Sequence, residues 1–366
     1  FGNLYHLNAE EEPETYFYPK DPAFRERFAP RGVIRSYADG RVEDTGPLTR
    51  KRMETIDQEF ADAALKFMDK STADDKPFFL WFNATRMHVW TRLSPEWDGK
   101  SGFGLYADGL MEHDHHVGLL LDKLDELGIA DNTIVVYSTD NGSQTNTYPD
   151  GGMEPFRGEK GSTWEGGFRV PALIRWPGVV EPGRVINDMF SHLDWLPTLM
   201  SAAGEPGIAD KLRQGHRAGG KSYRVYLDGY DQSALLAGKG PGQRNTLFYF
   251  DDNANFNALR WGDWKIHFAV MPEGWSGQRE PLNFPRLVHL RSDPYEVSLD
   301  SGMYTRFFAD QLWLFVPVQQ EVGRWLGTFR EYPPRQATAS FTIDRMMQQM
   351  QQMLQMRARG GPPGQG

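Results

Sequence analysis

The stretch Thr133–Trp176, TIVVYSTDNGSQTNTYPDGGMEPFRGEKGSTWEGGFRVPALIRW, decides how the chain is read. It opens on Thr133-Ile-Val-Val-Tyr-Ser138, a compact apolar run bounded by turn residues, which is the pattern of a buried parallel strand. Asp140, Asn141 and Gly142 follow directly. In open α/β sheets, ligands occupy the crevice outside the carboxyl ends of the strands, so this order puts a carboxylate and an amide at the functional edge. Both present oxygen, the donor that calcium and magnesium take. Turn formation alone also accounts for these three residues, since Asp, Asn and Gly dominate turns for conformational reasons. A Gly-rich loop with Arg157, Glu159, Lys160, Glu165 and Arg169 comes next, before Ala172–Arg175 resumes an apolar run. Such a loop can gather an anion, a cation and backbone amides in one place.

Working outward, 366 residues are ample for a large core, and the composition suits a globular protein of one large domain plus an appendage. A net charge of -9 without a Lys/Arg block argues against a nucleic-acid or anionic-membrane partner. No apolar stretch reaches the length of a membrane span. With no Cys, disulfides and zinc-thiolate sites are excluded within these residues.

Upstream, residues 1–46 are polar, aromatic and interrupted by Pro, and read as surface loop. Pro47 and Thr49 introduce a helix with Met53, Ile56, Phe60, Ala63, Ala64 and Phe67 along one face. Pro77-Phe-Phe-Leu-Trp-Phe82 reads as the next buried strand, and strand, loop, helix, strand is the order that builds a parallel sheet. His88 lies in the loop after that run, at the same kind of strand end as Asp140. Met111–Leu127 is a crossover helix, and its His113-Asp114-His115-His116 offers metal-ligand residue types, yet adjacent residues point in different directions and an acidic residue near an N-terminus suits the helix dipole, so a metal site is not the preferred reading. Downstream, Ser191-His-Leu-Asp194 forms a capping box, which gives His192 a structural reading at the edge of the site. Leu247–Phe250, Asn257–Arg260, Trp264–Phe268 and Leu287–Leu290 are short runs divided by turns, the pattern of an antiparallel sheet. Phe315–Tyr332 reads as a packing helix, Met346–Met356 as an adaptable Met/Gln packing face, and Arg357–Gly366 as a disordered tail.

STDNG followed by PFRGEKGSTWEGGFRVPALIRWPG resembles the sulfatase family, bacterial arylsulfatases in particular. The resemblance extends in looser form from Phe1 to Glu296, including the segment Arg291-Ser-Asp-Pro-Tyr-Glu296. It implies an alkaline-phosphatase-like fold: a mixed, mostly parallel sheet flanked by helices, incomplete here, with a small C-terminal antiparallel sheet. The implied domains are residues 1–240 for the catalytic portion, 241–300 for the antiparallel subdomain and 301–366 for a helical extension. The implied activity is hydrolysis of a small-molecule or carbohydrate sulfate ester, with a divalent cation, Ca2+ or alternatively Mg2+, and a formylglycine made from Cys. Carried over by position, Asp140 and Asn141 resemble two of the family's cation ligands, Lys160 its sulfate-contacting Lys, and His88 its sulfate-contacting His and proton donor. Arg157 is a further substrate-side candidate that helps orient the loop. A periplasmic or extracellular location in a bacterium also follows from the family.

The departures are as informative. No Cys exists for the formylglycine, no Ser-x-Pro/Ala-x-Arg replaces its motif, and the family's first acidic cation pair and first Lys/His pair have no counterpart. The expectation is therefore the C-terminal portion of a longer sulfatase, inactive alone, whose sheet shows an edge that is normally paired. A phosphate or phosphonate ester hydrolase of the same superfamily, or a non-catalytic binding relative, are the alternatives.

Overall fold

The computed structural model describes residues 1–2, 11–30, 32–145, 148–272, 274 and 277–333. The chain divides into two compact units, 1–134 with 144–153 and 135–143 with 154–366, so a boundary falls inside the stretch read as one catalytic portion. The Met/Gln run and the Gly/Pro tail lie outside the described residues.

In the first unit, the N-terminal stretch read as loop contains helix α1 (Pro22–Phe28) and a hairpin of β1 (Ile34–Ser36) with β2 (Val42–Asp44). The short α2 (Arg50–Met53) is capped by the Thr49 hydroxyl, which accepts from Arg52 N at 3.2 Å. The long α3 (Ile56–Ala73) follows. Val33, Leu48, Met53 and Ile56 form the core here, with Phe60 packed against it. Each such side chain contributes about 1.5–3 kcal/mol on burial. Phe67, expected inward, is exposed instead.

Helix α4 (Leu105–Glu126) starts a turn and a half before the expected Met111, and the residues it buries are Asp108, Gly109, Glu112, His116 and Leu124. Its inner face is thus more polar than its Leu periodicity implies: Glu112 pairs with the buried Arg86, Asp108 accepts the amides of Gly99 and Ser101, and His116 meets Gln58. Pro77–Phe82 is a correction: it joins no sheet, and Phe79 and Trp81 are 72% and 77% exposed. An apolar run becomes a strand only where a neighbouring backbone completes its ladder.

In the second unit, β3 (Val135–Ser138) is followed by a four-residue helix α5 (Glu165–Phe168) and β4 (Ala172–Arg175). The expected parallel pairing is not what the described residues hold: β3 and β4 run antiparallel, from Val135 opposite Arg175 to Ser138 opposite Ala172. The intervening loop folds back on itself, and that brings the second strand alongside in reverse. The capping box forms as read, with Ser191 and Asp194 bonding reciprocally before α6 (Trp195–Ala202). Helix α7 (Ile208–Gln214), a hairpin of β5 (His216–Ala218) and β6 (Lys221–Tyr223), and α8 (Ser233–Leu236) connect onward.

The antiparallel sheet comprises β7 (Thr246–Phe250), β8 (Phe256–Trp261), β9 (Trp264–Val270) and β10 (Glu280–His289), in the order β10-β9-β8-β7. Helices α9 (Tyr304–Asp310) and α10 (Phe315–Glu331) follow it. Leu314 and Val318 close over Leu259, Ile266 and Leu287 to make the apolar core on one sheet face. The α/β class and the small antiparallel sheet therefore stand. Among the described residues no helix is long and apolar enough to cross a membrane.

Candidate active site

The second unit carries a broad cleft of about 1420 Å³ whose lining includes Asp140, Asn141, Glu154, Lys160 and His192. Strand β3 delivers Asp140 to this wall, where the residue is exposed. Asn141 commits its Nδ2 to Gly142 O at 2.8 Å, so its amide oxygen is the atom it has for a cation. Lys160 joins the same wall because its backbone amide donates to Ser143 O at 2.9 Å. Its half-buried ammonium works against burial and the neighbouring Asp251, which together push the Asp252 carboxyl up.

Glycine makes this assembly possible. Gly142 N donates to Gly167 O at 3.2 Å and Gly166 N to Arg157 O at 2.7 Å. A Cβ on Gly142 would lie 1.7 Å from Gly166 O, and one on Gly166 would lie 2.3 Å from Gly158 O. Three backbone layers are therefore pressed together, with Asp140 and Asn141 next to the first and Lys160 next to the last.

Beneath the layers lies a buried ionic cluster. Glu165 Oε1 receives Lys265 Nζ at 3.0 Å and Tyr249 Oη at 2.9 Å, while Oε2 receives Arg169 Nε at 2.8 Å. The Glu165 amide donates to Glu296 Oε2 at 2.7 Å, and Glu296 Oε1 faces Lys265 Nζ at 3.2 Å and His267 Nε2 at 2.8 Å. Burial alone raises the Glu165 carboxyl, but the Lys265 charge and the Arg169 and Lys265 hydrogen bonds outweigh it and bring it down to about 2. Glu296 is likewise lowered against burial by Lys265 and His267. His267 is held below its ordinary value, chiefly by burial. Tyr249 is pushed well up by burial and by the Glu165 carboxylate.

Arg157 departs from the substrate-side expectation. Its Nη1 donates to Glu296 O at 3.0 Å and pairs with Asp300 Oδ2 at 2.9 Å, and its guanidinium stacks 4.2 Å from the Trp164 ring centre. A guanidinium so occupied braces the loop, which is the orienting half of what was expected of it. His192 has the structural role expected: Nε2 donates to Thr139 O at 2.9 Å and Nδ1 accepts from Trp195 Nε1 at 3.2 Å.

His88 belongs to the first unit. Its Nδ1 faces Val89 O at 3.2 Å, and since a carbonyl only accepts, Nδ1 is the nitrogen that carries the hydrogen in this contact. Thr91 Oγ1 donates to His88 O at 2.7 Å, and Tyr148 Oη also donates to that carbonyl. The loop is fixed from below by Asp57, which accepts the amides of Thr85 at 2.9 Å and Arg86 at 3.2 Å. His116 Nε2 meets Gln58 Oε1 at 3.2 Å, a packing role for that part of the His cluster.

The donor set on the cleft wall has the chemistry of a hard-cation site in part. Asp140 and Asn141 supply two oxygens, and calcium takes about 6–8. Among the described residues no group of three or more His, Cys, Asp or Glu stands together to hold a metal.

The family model described as Sulfatase matches residues 6–205. Arylsulfatase A of Homo sapiens is 36% identical over 206 residues, which is 55% of this chain and 38% of that protein. An N-acetylgalactosamine-6-sulfatase of Canis lupus familiaris is 30% identical over 333 residues, 84% of this chain and 60% of that relative. Among solved structures, the PsFucS1 sulfatase from Pseudoalteromonas sp. superposes with a TM-score of 0.73 at 26% identity, covering 86% of this chain and 61% of its own. The chain thus spans less than two thirds of each of these relatives. With the family model matching more than half of its residues, the chain belongs to the sulfatase family.

Proposed function

We propose that the chain contributes the cation-holding and anion-holding side of a sulfuric ester hydrolase acting on a small-molecule or carbohydrate sulfate ester. The observation that supports this reading is that Asp140, Asn141 and Lys160 all line one cleft. In it, the Asp140 carboxylate and the Asn141 amide oxygen are ligands of Ca2+, with Mg2+ the alternative. The cation, when bound, supplies positive charge against the sulfate oxygens. Lys160 adds a compact ammonium to the same task. For His88 the reading rests on the family resemblance alone, which makes it the candidate to protonate the departing oxygen as the S–O bond breaks. The balance is R–O–SO3⁻ plus water to R–OH plus hydrogen sulfate. The formylglycine is assigned outside this sequence, since it is made from Cys and the 366 residues hold none.

By their names, the similar proteins act on aryl, steryl and N-acetylgalactosamine sulfates. The sulfate group is common to all three, and it is the part of the substrate these residues address. The test is sulfate release from 4-nitrophenyl sulfate by the intact protein, followed by ion chromatography with and without a calcium chelator. Release that stops on chelation is expected. Release indifferent to chelation, or faster phosphate release from 4-nitrophenyl phosphate, overturns the reading.

A further inference from the structure

Glu165 is unusual for a residue of a four-residue helix, because it is pinned at both ends by groups from distant parts of the chain. Its carboxylate takes three donors, Lys265 from β9, Tyr249 from β7 and Arg169 from its own loop. Its amide is fixed on Glu296, beyond the end of β10. Lys265 is wholly enclosed, so this is an anchorage inside the protein rather than a surface pair. The two residues after Glu165 are the glycines of the middle backbone layer. Gly167 O accepts Gly142 N, Gly166 O blocks any side chain at position 142, and Gly166 N holds Arg157 O. A displacement of Glu165 thus moves the layer against which both the Asp140–Asn141 turn and the Lys160 loop are seated.

We infer that Glu165, anchored by Lys265 of the antiparallel sheet, is a positioning residue that sets the spacing of the Asp140–Asn141 cation ligands through the Gly166–Gly142 backbone contact. The inference rests on the cation reading of that pair. It gives the C-terminal sheet a part in the site although the sheet supplies none of the proposed ligands. Groups that hold metal ligands in place without touching the metal act in this way, and their loss typically weakens metal affinity roughly 10- to 100-fold.

The experiment is calorimetric titration of the full 366-residue chain with calcium chloride alone, beside thermal unfolding of each variant. Glu165→Gln keeps the shape and removes the charge; Gly142→Ala keeps every charged side chain of the cluster and puts a Cβ where Gly166 O stands 1.7 Å away, which pushes the layers apart. Both should lose roughly 10- to 100-fold in calcium affinity. Leu314→Ala is the control, because it opens a cavity on the opposite face of the same sheet and lowers the melting temperature with calcium affinity unchanged. A folded Glu165→Gln that binds calcium like the wild type overturns the inference and leaves the cation reading standing. If Glu165→Gln does not fold, Gly142→Ala decides, and wild-type affinity there overturns the inference equally. A wild-type chain that takes up no calcium at millimolar concentration defeats the cation reading, and the inference with it.

Discussion

Arg86 Nε lies 2.7 Å from Glu112 Oε2, with both side chains closed to solvent. The same guanidinium stands 3.9 Å from Asp57 Oδ2, so one cation faces two carboxylates beneath the loop that bears His88. Arg86→Met leaves both carboxylates buried without it. The first unit should lose about 3–5 kcal/mol, the range for breaking a buried pair from one side. Urea unfolding followed by circular dichroism measures this, and an unchanged midpoint contradicts it.

Stability should depend on pH through Glu165. Its carboxyl titrates at about 2 in the fold against an ordinary 4.5, so the unfolded chain takes up the proton first as pH falls. The contribution is fully present above 4.5 and is lost on the way down to about 2. His267, held below 6.5 chiefly by burial, acts in the same sense, since its protonation below 6.5 favours the unfolded state. Urea midpoints of wild type and Glu165→Gln should therefore differ at neutral pH and converge in acid. A gap that stays constant down to about pH 3 excludes this linkage.

Calcium should stabilise the chain only while Asp140 is intact. A ligand at 100 times its dissociation constant stabilises a folded protein by about 2.7 kcal/mol, enough to move a melting curve visibly. The wild type should melt higher with calcium than with chelator, and Asp140→Ala should melt alike in both. Equal calcium shifts in the two proteins would place the ion elsewhere.

Lys160→Ala should weaken binding of inorganic sulfate and leave the fold in place. A hydrogen bond to a charged group contributes about 1.5–3 kcal/mol, so affinity should fall roughly tenfold to a hundredfold. The backbone bond from Lys160 N to Ser143 O survives the substitution, and the melting temperature should stay near that of the wild type. Isothermal titration with sodium sulfate reads the first effect, and undiminished sulfate affinity would remove Lys160 from the site.

Local chemistry makes much of this legible in the sequence alone. Thr49 caps a helix, Ser191 and Asp194 form their box, and the four short turn-divided runs after position 246 become the antiparallel sheet. Asp140, Asn141 and Lys160 share one cleft because a strand end and a Gly-rich loop both lead there. Alternation, however, does not say which face of a strand is inside. In β9, Lys265 and His267 alternate with Trp264, Ile266 and Phe268, a pattern that ordinarily turns the polar residues to solvent, yet they are as enclosed as Ile266, since the sheet is covered on both faces. The Glu165 cluster was therefore missed, and so was the occupation of Arg157. The one available signal was a Glu set before two glycines inside a loop rich in cations. Pro77–Phe82 failed for the converse reason: its apolar pattern was clear, but strand formation depends on a partner that local sequence does not specify.

The close approach of Gly142 to Gly166 is a hard-core contact between uncharged backbones. Added salt screens the pull of Lys160 on an exposed anion, but it does not soften a steric wall. Ionic strength should consequently change how strongly an anion is drawn to this wall without changing how far apart its Asp140 and Lys160 edges are held.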